Sequence, residues 1–442
     1  MIQTRLTSVS SIIADIIITK NLMLIHSASQ LLTLAGKPQS GSQLGQLGII
    51  PNGSVLIRDE KIIDVGETDE MAEKYPGEKQ LSANNCVVMP GLIDPHTHLV
   101  WAGDRAAEFE MRLEGKSYMD IMAAGGGIQS TVNATRSANY SSLFAQSEQH
   151  ALDMFYQGTT TAEAKSGYGL EISTELKQLK VLLNLNKKGP LEIFPTFLGA
   201  HAVPNEYKSR PDIYVNLVCD EMLPALKNWW AKNTHERPLP FVDVFCEKGA
   251  FNLAQTRRIL ESAKQLGFPL KIHADEFENL GGAAIAAKLD AVSADHLVKT
   301  STEDIKMLAA SNTIAVSLPC TPFGLAESEY SPAKAMIEAG CVFALASDLN
   351  PGTAWCGNMQ FAMALACRFM GLTPAQSIAA STINAAAAIG QHENIGSIES
   401  GKQADLIILS VNDYRQIPYR FGTNLVTTII KKGKKYALRS LC

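Results

Sequence analysis

CVVMPGLIDPHTHLVWAGDR, residues 86–105, is the stretch around which the chain is organised. An apolar run, Val87-Val88-Met89, meets Pro90-Gly91 and resumes as Leu92-Ile93. It ends in Asp94-Pro95-His96-Thr97-His98. Continuous apolar character over so few residues predicts a strand buried on both faces, as in a parallel sheet. Alternate residues of a strand share a side, so His96 and His98 face inward from one strand end, about 6.5 Å apart along it. That spacing lets two imidazoles share a metal ion at roughly 2.1 Å from each ring nitrogen. Two donors do not close a coordination shell, so the remaining ligands must come from elsewhere in the chain.

The texture around this stretch supplies the architecture. Downstream of residue 86, short apolar runs alternate with segments of helical periodicity, the mark of repeated βα units. Strands are expected at 159–165, 191–197, 241–245, 270–273, 291–296, 313–318 and 342–348. With the opening strand these make eight, which predicts a TIM barrel. Helices are expected at 175–185, 253–266 and 302–310, and a single Ala-rich helix at 374–390, opened by Pro374 near its first turn. Residues 1–85 read as β-structure, with strands at 12–19 and around a polar turn within 54–65, and a Gly/Ser/Gln-rich loop at 36–48. Strands return at 404–409 and 426–430. Lys431-Lys432-Gly433-Lys434-Lys435 reads as the solvated turn of a last hairpin. The expected fold is therefore α/β: a distorted (β/α)8 barrel over 86–392, with a small β-sandwich domain assembled from 1–85 and 393–442.

Size and composition fit this reading. A chain of 442 residues holds a barrel and something smaller. Apolar content of 46% and charged content of 19% describe a soluble globular protein with a large core. A formal charge of -5 without a basic, aromatic-rich patch argues against a nucleic-acid partner. No apolar run reaches about 18 residues, so no membrane span is expected. The eight cysteines contain no C-x-x-C pair, which argues against a disulfide framework and for a reducing, cytoplasmic location.

In a barrel, chemistry collects at the C-terminal strand ends. There the sequence places His96 and His98, His201, His273-Ala274-Asp275-Glu276, Asp295-His296, and Ser347-Asp348. Five of the nine histidines fall at this one rim. His96, His98 and His273 offer three neutral nitrogen donors and Asp348 a hard oxygen, a set suited to one divalent ion, Zn²⁺ or Fe²⁺. Such an ion lowers the pKa of water toward about 7. Asp348 is also placed to accept a proton from that water. His296 is a candidate general base or electrostatic stabiliser. Glu276, three residues past His273, is placed to reach substrate, and either it or His296 is a candidate catalytic group for the leaving atom.

This constellation resembles the amidohydrolase superfamily, metal-dependent hydrolases on a distorted barrel with a β-sandwich built from both chain ends. A narrower set of segments is similar to the imidazolonepropionase family: DPHTHLVWAGDRAAEF (94–109), GGGIQSTVNATR (125–136), EAKSGYGLE (163–171), TFLGAHAVP (196–204), DVFCEKGAF (243–251), HADEF (273–277) and SDLNPGT (347–353). The resemblance implies hydrolysis of the cyclic amide of 4-imidazolone-5-propanoate to N-formimidoyl-L-glutamate, in histidine degradation, by a cytoplasmic homodimer. It implies metal ligation by His96, His98, His273 and Asp348, and water activation by His296. It implies substrate binding by Arg105, Tyr168, His201, Glu276, Asn350, Gly352 and Thr353. The chemistry agrees: Arg105 offers a planar fork for the propionate carboxylate, and Tyr168 a second donor.

Two features depart from the pattern. The 36–48 loop is longer than the resemblance implies. Cys246-Glu247 at the end of strand four leaves no lysine at those positions for a bridging carbamate, which favours a single metal and gives Lys165 and Lys248 structural or solvent-facing roles. Two other readings compete. A cytosine- or guanine-type aminohydrolase would share the histidines and the aspartate, but Arg105 with Tyr168 favours an anionic substrate. A non-catalytic, amidohydrolase-like scaffold protein would be expected to lose metal ligands, and all four stand here.

Overall fold

A computed structural model describes residues 23–116, 125–235 and 237–438. The strand expected at 12–19 lies outside the described residues. Five strands precede the barrel: β1 (Met23–Leu32), β2 (Ile49–Arg58), β3 (Lys61–Glu67), β4 (Lys79–Ser82) and β5 (Val87–Pro90). Eight form it: β6 (Leu92–Asp94), β7 (Thr159–Lys165), β8 (Glu192–Ala200), β9 (Phe241–Cys246), β10 (Lys271–Ala274), β11 (Ser293–His296), β12 (Ile314–Ser317) and β13 (Phe343–Leu345). Three follow: β14 (Leu406–Leu409), β15 (Val426–Lys431) and β16 (Lys434–Ala437).

The barrel strands are parallel and neighbour one another in chain order from β6 to β13. The two end strands are three residues each, and the gap between them is closed past their ends by single contacts. Ser347 N–H donates to Asp94 Oδ1 (3.1 Å), Asp348 N–H to the His96 carbonyl (3.2 Å) and His98 N–H to the Leu349 carbonyl (2.8 Å). The barrel therefore closes through the residues that carry the expected metal ligands.

The opening stretch is not one strand. It divides at Gly91: Val87–Pro90 pairs with β1 and β14 in the second sheet, and only Leu92–Asp94 enters the barrel. Gly91 is required there, because a Cβ would come within 2.3 Å of the Thr160 hydroxyl on β7. The inference of burial on both faces holds, for a different reason. Val87 and Met89 join the core shared with the barrel, whereas Val88 turns into a separate cluster with Leu31, Val55, Leu406 and Ile408. A strand between two apolar layers reads the same in either sheet.

That second sheet has eight strands in the order β16-β15-β14-β5-β1-β2-β3, with β4 on β1, so both chain ends build it. The alternation recurs on β14: Ile407 and Leu409 face the barrel core, Leu406 and Ile408 the sheet's own. Its hairpin turn corrects the reading of Lys431. Rather than facing water, Lys431 is buried in the seam between sheet and barrel. Its Nζ lies 2.8 Å from Glu192 Oε2, 2.6 Å from Asp405 Oδ2 and 3.3 Å from Thr161 Oγ1.

The helices largely follow their periodicity. Asn252 caps Leu253–Gln265 in a capping box with Gln255, and Thr373 does the same with Gln376. The Ala-rich segment is two short helices, Pro374–Ala380 and Ile383–Ala387, not one. Thr382, at φ -131° and ψ -96°, breaks it, and its hydroxyl donates back to the Ile378 carbonyl at 2.7 Å. The 36–48 loop finds its purpose beside this break. Gln39 and Asn384 exchange backbone–amide hydrogen bonds of 2.7 and 2.8 Å, and Leu44 and Leu47 enter the barrel core. The loop is a plug fastened to the barrel.

Candidate metal centre and substrate cleft

The expected ligands converge past the strand ends. His98 Nε2 and His273 Nε2 lie 3.3 Å apart, and Asp348 Oδ1 lies 3.6 Å from His96 Nε2 and 3.5 Å from His98 Nε2. All four residues are buried. Three overlapping sets, His96–His98–Asp348, His98–His201–His273 and His96–His273–His296, each keep their donor atoms within 4.8 Å of one another. The backbone contributes: His296 (φ 79°) and Asp348 (φ 57°) hold left-handed conformations that cost about 1–3 kcal/mol each, a concentration of strain typical of functional sites.

Two of the three ligand imidazoles have a carboxylate behind them. His96 Nδ1 is 2.6 Å from Asp295 Oδ2, and His273 Nδ1 is 3.0 Å from Asp243 Oδ2. A carboxylate there favours the tautomer with the proton on Nδ1, which leaves Nε2 as a lone pair. His98 Nδ1 has no partner among the described residues. Burial, reinforced by the neighbouring Lys165 ammonium and the other imidazoles, holds the His96 pKa far below the usual histidine value, so the ring is neutral. Burial first and His201 second do the same for His98. The Nε2 atoms of His98 and His273 face each other at 3.3 Å, close enough to share one ion. His96 Nε2 and Asp348 Oδ1 are buried with no hydrogen-bond partner among the described residues. The donor set therefore fits a divalent ion. Asp348 Oδ2 is tied to the Thr321 hydroxyl at 2.5 Å, and burial raises this carboxyl to about 6.

Beside these atoms lies a cleft of about 130 Å³ lined by Arg105, Tyr168, His201, Glu276, His296, Asn350 and Thr353 as well as His98, His273 and Asp348. Glu276 is buried, and burial followed by the proximity of Asp348 pushes its pKa well above the ordinary carboxylate range, which favours its protonated form. His296 Nε2 is 3.7 Å from Glu276 Oε2 and has no hydrogen-bond partner among the described residues. His201 donates Nδ1–H to the Gly167 carbonyl (3.0 Å), which leaves Nε2 as a lone pair; burial pushes its pKa down to about 3.

Three expected substrate contacts have other engagements. Arg105 is gripped by Glu108, with Nε at 2.9 Å and the NH2 nitrogen at 2.8 Å, and Glu108 also accepts from Gly127 N–H. Gly352 stands behind Arg105, where a Cβ would lie 2.2 Å from a guanidinium nitrogen. The Asn350 side-chain oxygen accepts from Gly352 N–H and Thr353 N–H, both at 2.8 Å, so its amide organises the loop that backs the arginine. Lys248 is exposed, as expected. Lys165 is wholly buried beneath the site, which makes it structural and not solvent-facing.

The Amidohydrolase family profile matches residues 87–435. The chain is 49% identical over 412 residues to an imidazolonepropionase from Herpetosiphon aurantiacus, covering 93% of this chain and 96% of that one. It is 47% identical to one from Symbiobacterium thermophilum (93% and 96% covered) and 45% identical to one from Parabacteroides distasonis (94% and 99%). The chain belongs to the imidazolonepropionase family. Among solved structures the fold is similar to a triazine hydrolase variant, at TM-score 0.70, 14% identity and 94% of each chain covered. It is also similar to a zinc-bound adenosine deaminase from Xanthomonas campestris, at TM-score 0.66, 19% identity, with 94% and 92% covered. Those two likenesses concern the fold alone.

Sequence reasoning assigned no role to Asp243, Asp295, Glu108 or Thr321. The signal for the first two was present. A carboxylate inside a short strand is costly to bury unless something pairs with it, as for Asp243 among the apolar residues of 241–246 and Asp295 within 293–296.

Proposed function

We propose that the protein hydrolyses the cyclic amide of 4-imidazolone-5-propanoate to N-formimidoyl-L-glutamate, the reaction of the histidine-degradation family it belongs to. The observation that carries the reading is the convergence of aimed Nε2 lone pairs and Asp348 on one wall of a cleft whose other wall presents Arg105. His96, His98, His273 and Asp348 would hold one divalent ion, zinc or iron. Such an ion polarises a carbonyl and raises the acidity of water.

The chain's own residues do the rest. Arg105 pairs with the propionate carboxylate, and Glu108 fixes the plane of the guanidinium. Tyr168 adds a hydroxyl donor, and His201 an acceptor nitrogen. Asp348 takes a proton from the attacking water, a role matched by a carboxyl raised to about 6. Glu276, whose burial favours its protonated form, gives a proton to the departing ring nitrogen. His296, at 3.7 Å from Glu276, shares in activating the water and relays the proton that Asp348 received to Glu276, which returns both carboxyl groups to their starting states. The ring C–N bond breaks, the new carboxylate takes the water's oxygen, and the nitrogen takes a proton. Arg105 disfavours the aminohydrolase reading, and the complete donor set disfavours the scaffold reading. We expect a homodimer in the cytoplasm, which light scattering and fractionation check.

The deciding experiment follows loss of the imidazolone chromophore with freshly generated substrate, with and without prior chelation, alongside metal analysis. Turnover that stops on chelation and returns with added zinc or iron supports the proposal. Turnover indifferent to chelation and to His273→Ala, or no turnover by metal-loaded protein, overturns it.

A further inference from the structure

Beneath the proposed metal centre lies a second constellation that the reaction does not use. Five charged side chains are buried together: Glu163, Lys165, Asp243, Lys271 and Asp295. Lys165 is at their centre. Its Nζ is 2.8 Å from Asp243 Oδ2, 2.9 Å from Glu163 Oε1 and 3.8 Å from Asp295 Oδ2. Asp243 is the carboxylate behind His273, and Asp295 the one behind His96. Glu163 is held in turn by Thr97 N–H, at 3.3 Å, between the two first-strand histidines.

Lys271 shares the Asp295 contact: its Nζ is also 3.8 Å from Asp295 Oδ2, and Ser293 bridges the two, its hydroxyl 2.6 Å from the ammonium and 2.5 Å from Asp295 Oδ1. Asp243 differs, because Lys165 is the ammonium in contact with it among the described residues, and its Oδ1 accepts from the backbone N–H of His273 at 3.2 Å. An ammonium has three donors with tetrahedral spread and can brace several carboxylates at once. A neutral side chain at 165 would leave Asp243 buried without its ammonium and Glu163 without its ion pair.

We propose that Lys165 is a positioning residue: one buried ammonium braces the carboxylates behind His96 and His273, so that both rings keep their proton on Nδ1 and turn Nε2 toward the metal. This rests on the metal-centre reading above. The competing account is that Lys165 only neutralises buried charge and supports the fold.

The test uses the full-length, metal-loaded protein. Metal affinity is read by chelator competition in wild type, Lys165→Met and Lys431→Met. Lys431 is an equally buried lysine bonded to two carboxylates, but it sits in the seam away from the site. Lys165→Met is expected to weaken zinc binding by about 10- to 100-fold, the usual effect of losing outer-shell support. Lys431→Met is expected to lower thermal stability and to leave zinc affinity within about twofold. Equal zinc affinity in Lys165→Met and wild type overturns the inference, as does an equal loss in both variants.

If Lys165→Met does not fold, Lys165→Gln, which keeps length and one donor, is read in the same way. ¹⁵N-histidine NMR of the wild type after chelation, when no bound ion dictates the tautomer, gives an independent reading that requires no variant. Protons on Nδ1 of His96 and His273 are expected, and a proton on Nε2 of either ring overturns the inference. A wild type that binds no zinc or iron defeats the metal-centre reading itself. A metal-binding wild type with an indifferent Lys165 defeats only this step.

Discussion

Two regions of this molecule bury charge, and they do so in opposite ways. In the seam between barrel and second sheet, Lys431 spends its three donors on Glu192, Asp405 and Thr161, and Asp405 also accepts from Lys432 N–H and Gln403. At the rim, His96 Nε2, His296 Nε2 and Asp348 Oδ1 are also buried and have no hydrogen-bond partner among the described residues. Both regions pay desolvation, but only the seam recovers it within the chain. Satisfied buried charge fixes one sheet against another. Buried polarity left unpaired within the chain, supported from behind by Asp243, Asp295 and Lys165, is suited to hold a cation.

The comparison breaks if removing a rim ligand leaves chemistry intact. His273→Ala removes the donor facing His98 and is expected to lower kcat/KM by more than about 10³-fold, with a corresponding loss of bound metal by elemental analysis. The effect on stability should be small beside it. Retention of metal and activity would make the rim another structural network.

Removing the central cation of the seam should do the reverse. Lys431→Ala leaves Asp405 buried without its ammonium and Glu192 with Lys432 alone, for a destabilisation of about 3 kcal/mol by denaturant titration. The kcat of the folded fraction should stay near wild type. A fall in kcat with stability unchanged would erase the distinction between the regions. Arg105→Ala sharpens the rim further. It removes the fork for the substrate carboxylate, so KM should rise by about 100-fold, or about 3 kcal/mol, with metal content unchanged. An unaltered KM would free Arg105 for a purely structural partnership with Glu108.

How much of this was legible in the sequence follows from the same contrast. The rim ligands were, because His-x-His and the later strand-end His and Asp residues stand where short apolar runs stop, and position in a barrel implies convergence. Their supports were less so: Asp243 is marked by its apolar strand but not by its partners, and Lys165 pairs with Asp243 and Asp295 from other strands as well as with Glu163 of its own, which only their placement in space reveals. The division at Gly91 was hidden because Val87-Val88-Met89 is flanked by apolar layers on both sides, as a barrel strand would be. Lys431 was hidden by company: it stands in a run of lysines whose turn is at the surface, while its own side chain turns inward beneath the last hairpin.

The smallest effect concerns pH, and it separates the regions most finely. The Glu192 carboxyl is resisted by burial but, on balance, drawn down to about 2 by the Lys431 and Lys432 ammonium groups. A carboxyl whose folded pKa lies below its unfolded value contributes stability that is fully present above the unfolded value, near 4.5. That stability is lost as pH falls toward the folded one. Between pH 6 and pH 4 only the upper part of that window is crossed, so the expected loss is about 1 kcal/mol. Glu192→Gln removes the titrating group and leaves the rim untouched. The stability gap between wild type and Glu192→Gln, read as the shift in denaturant midpoint, should therefore narrow by about that amount as pH is lowered from 6 to 4. Groups at the rim titrate alike in both proteins and cancel in the difference. A gap constant across this range would mean that the seam holds its carboxylate by shape and not by charge.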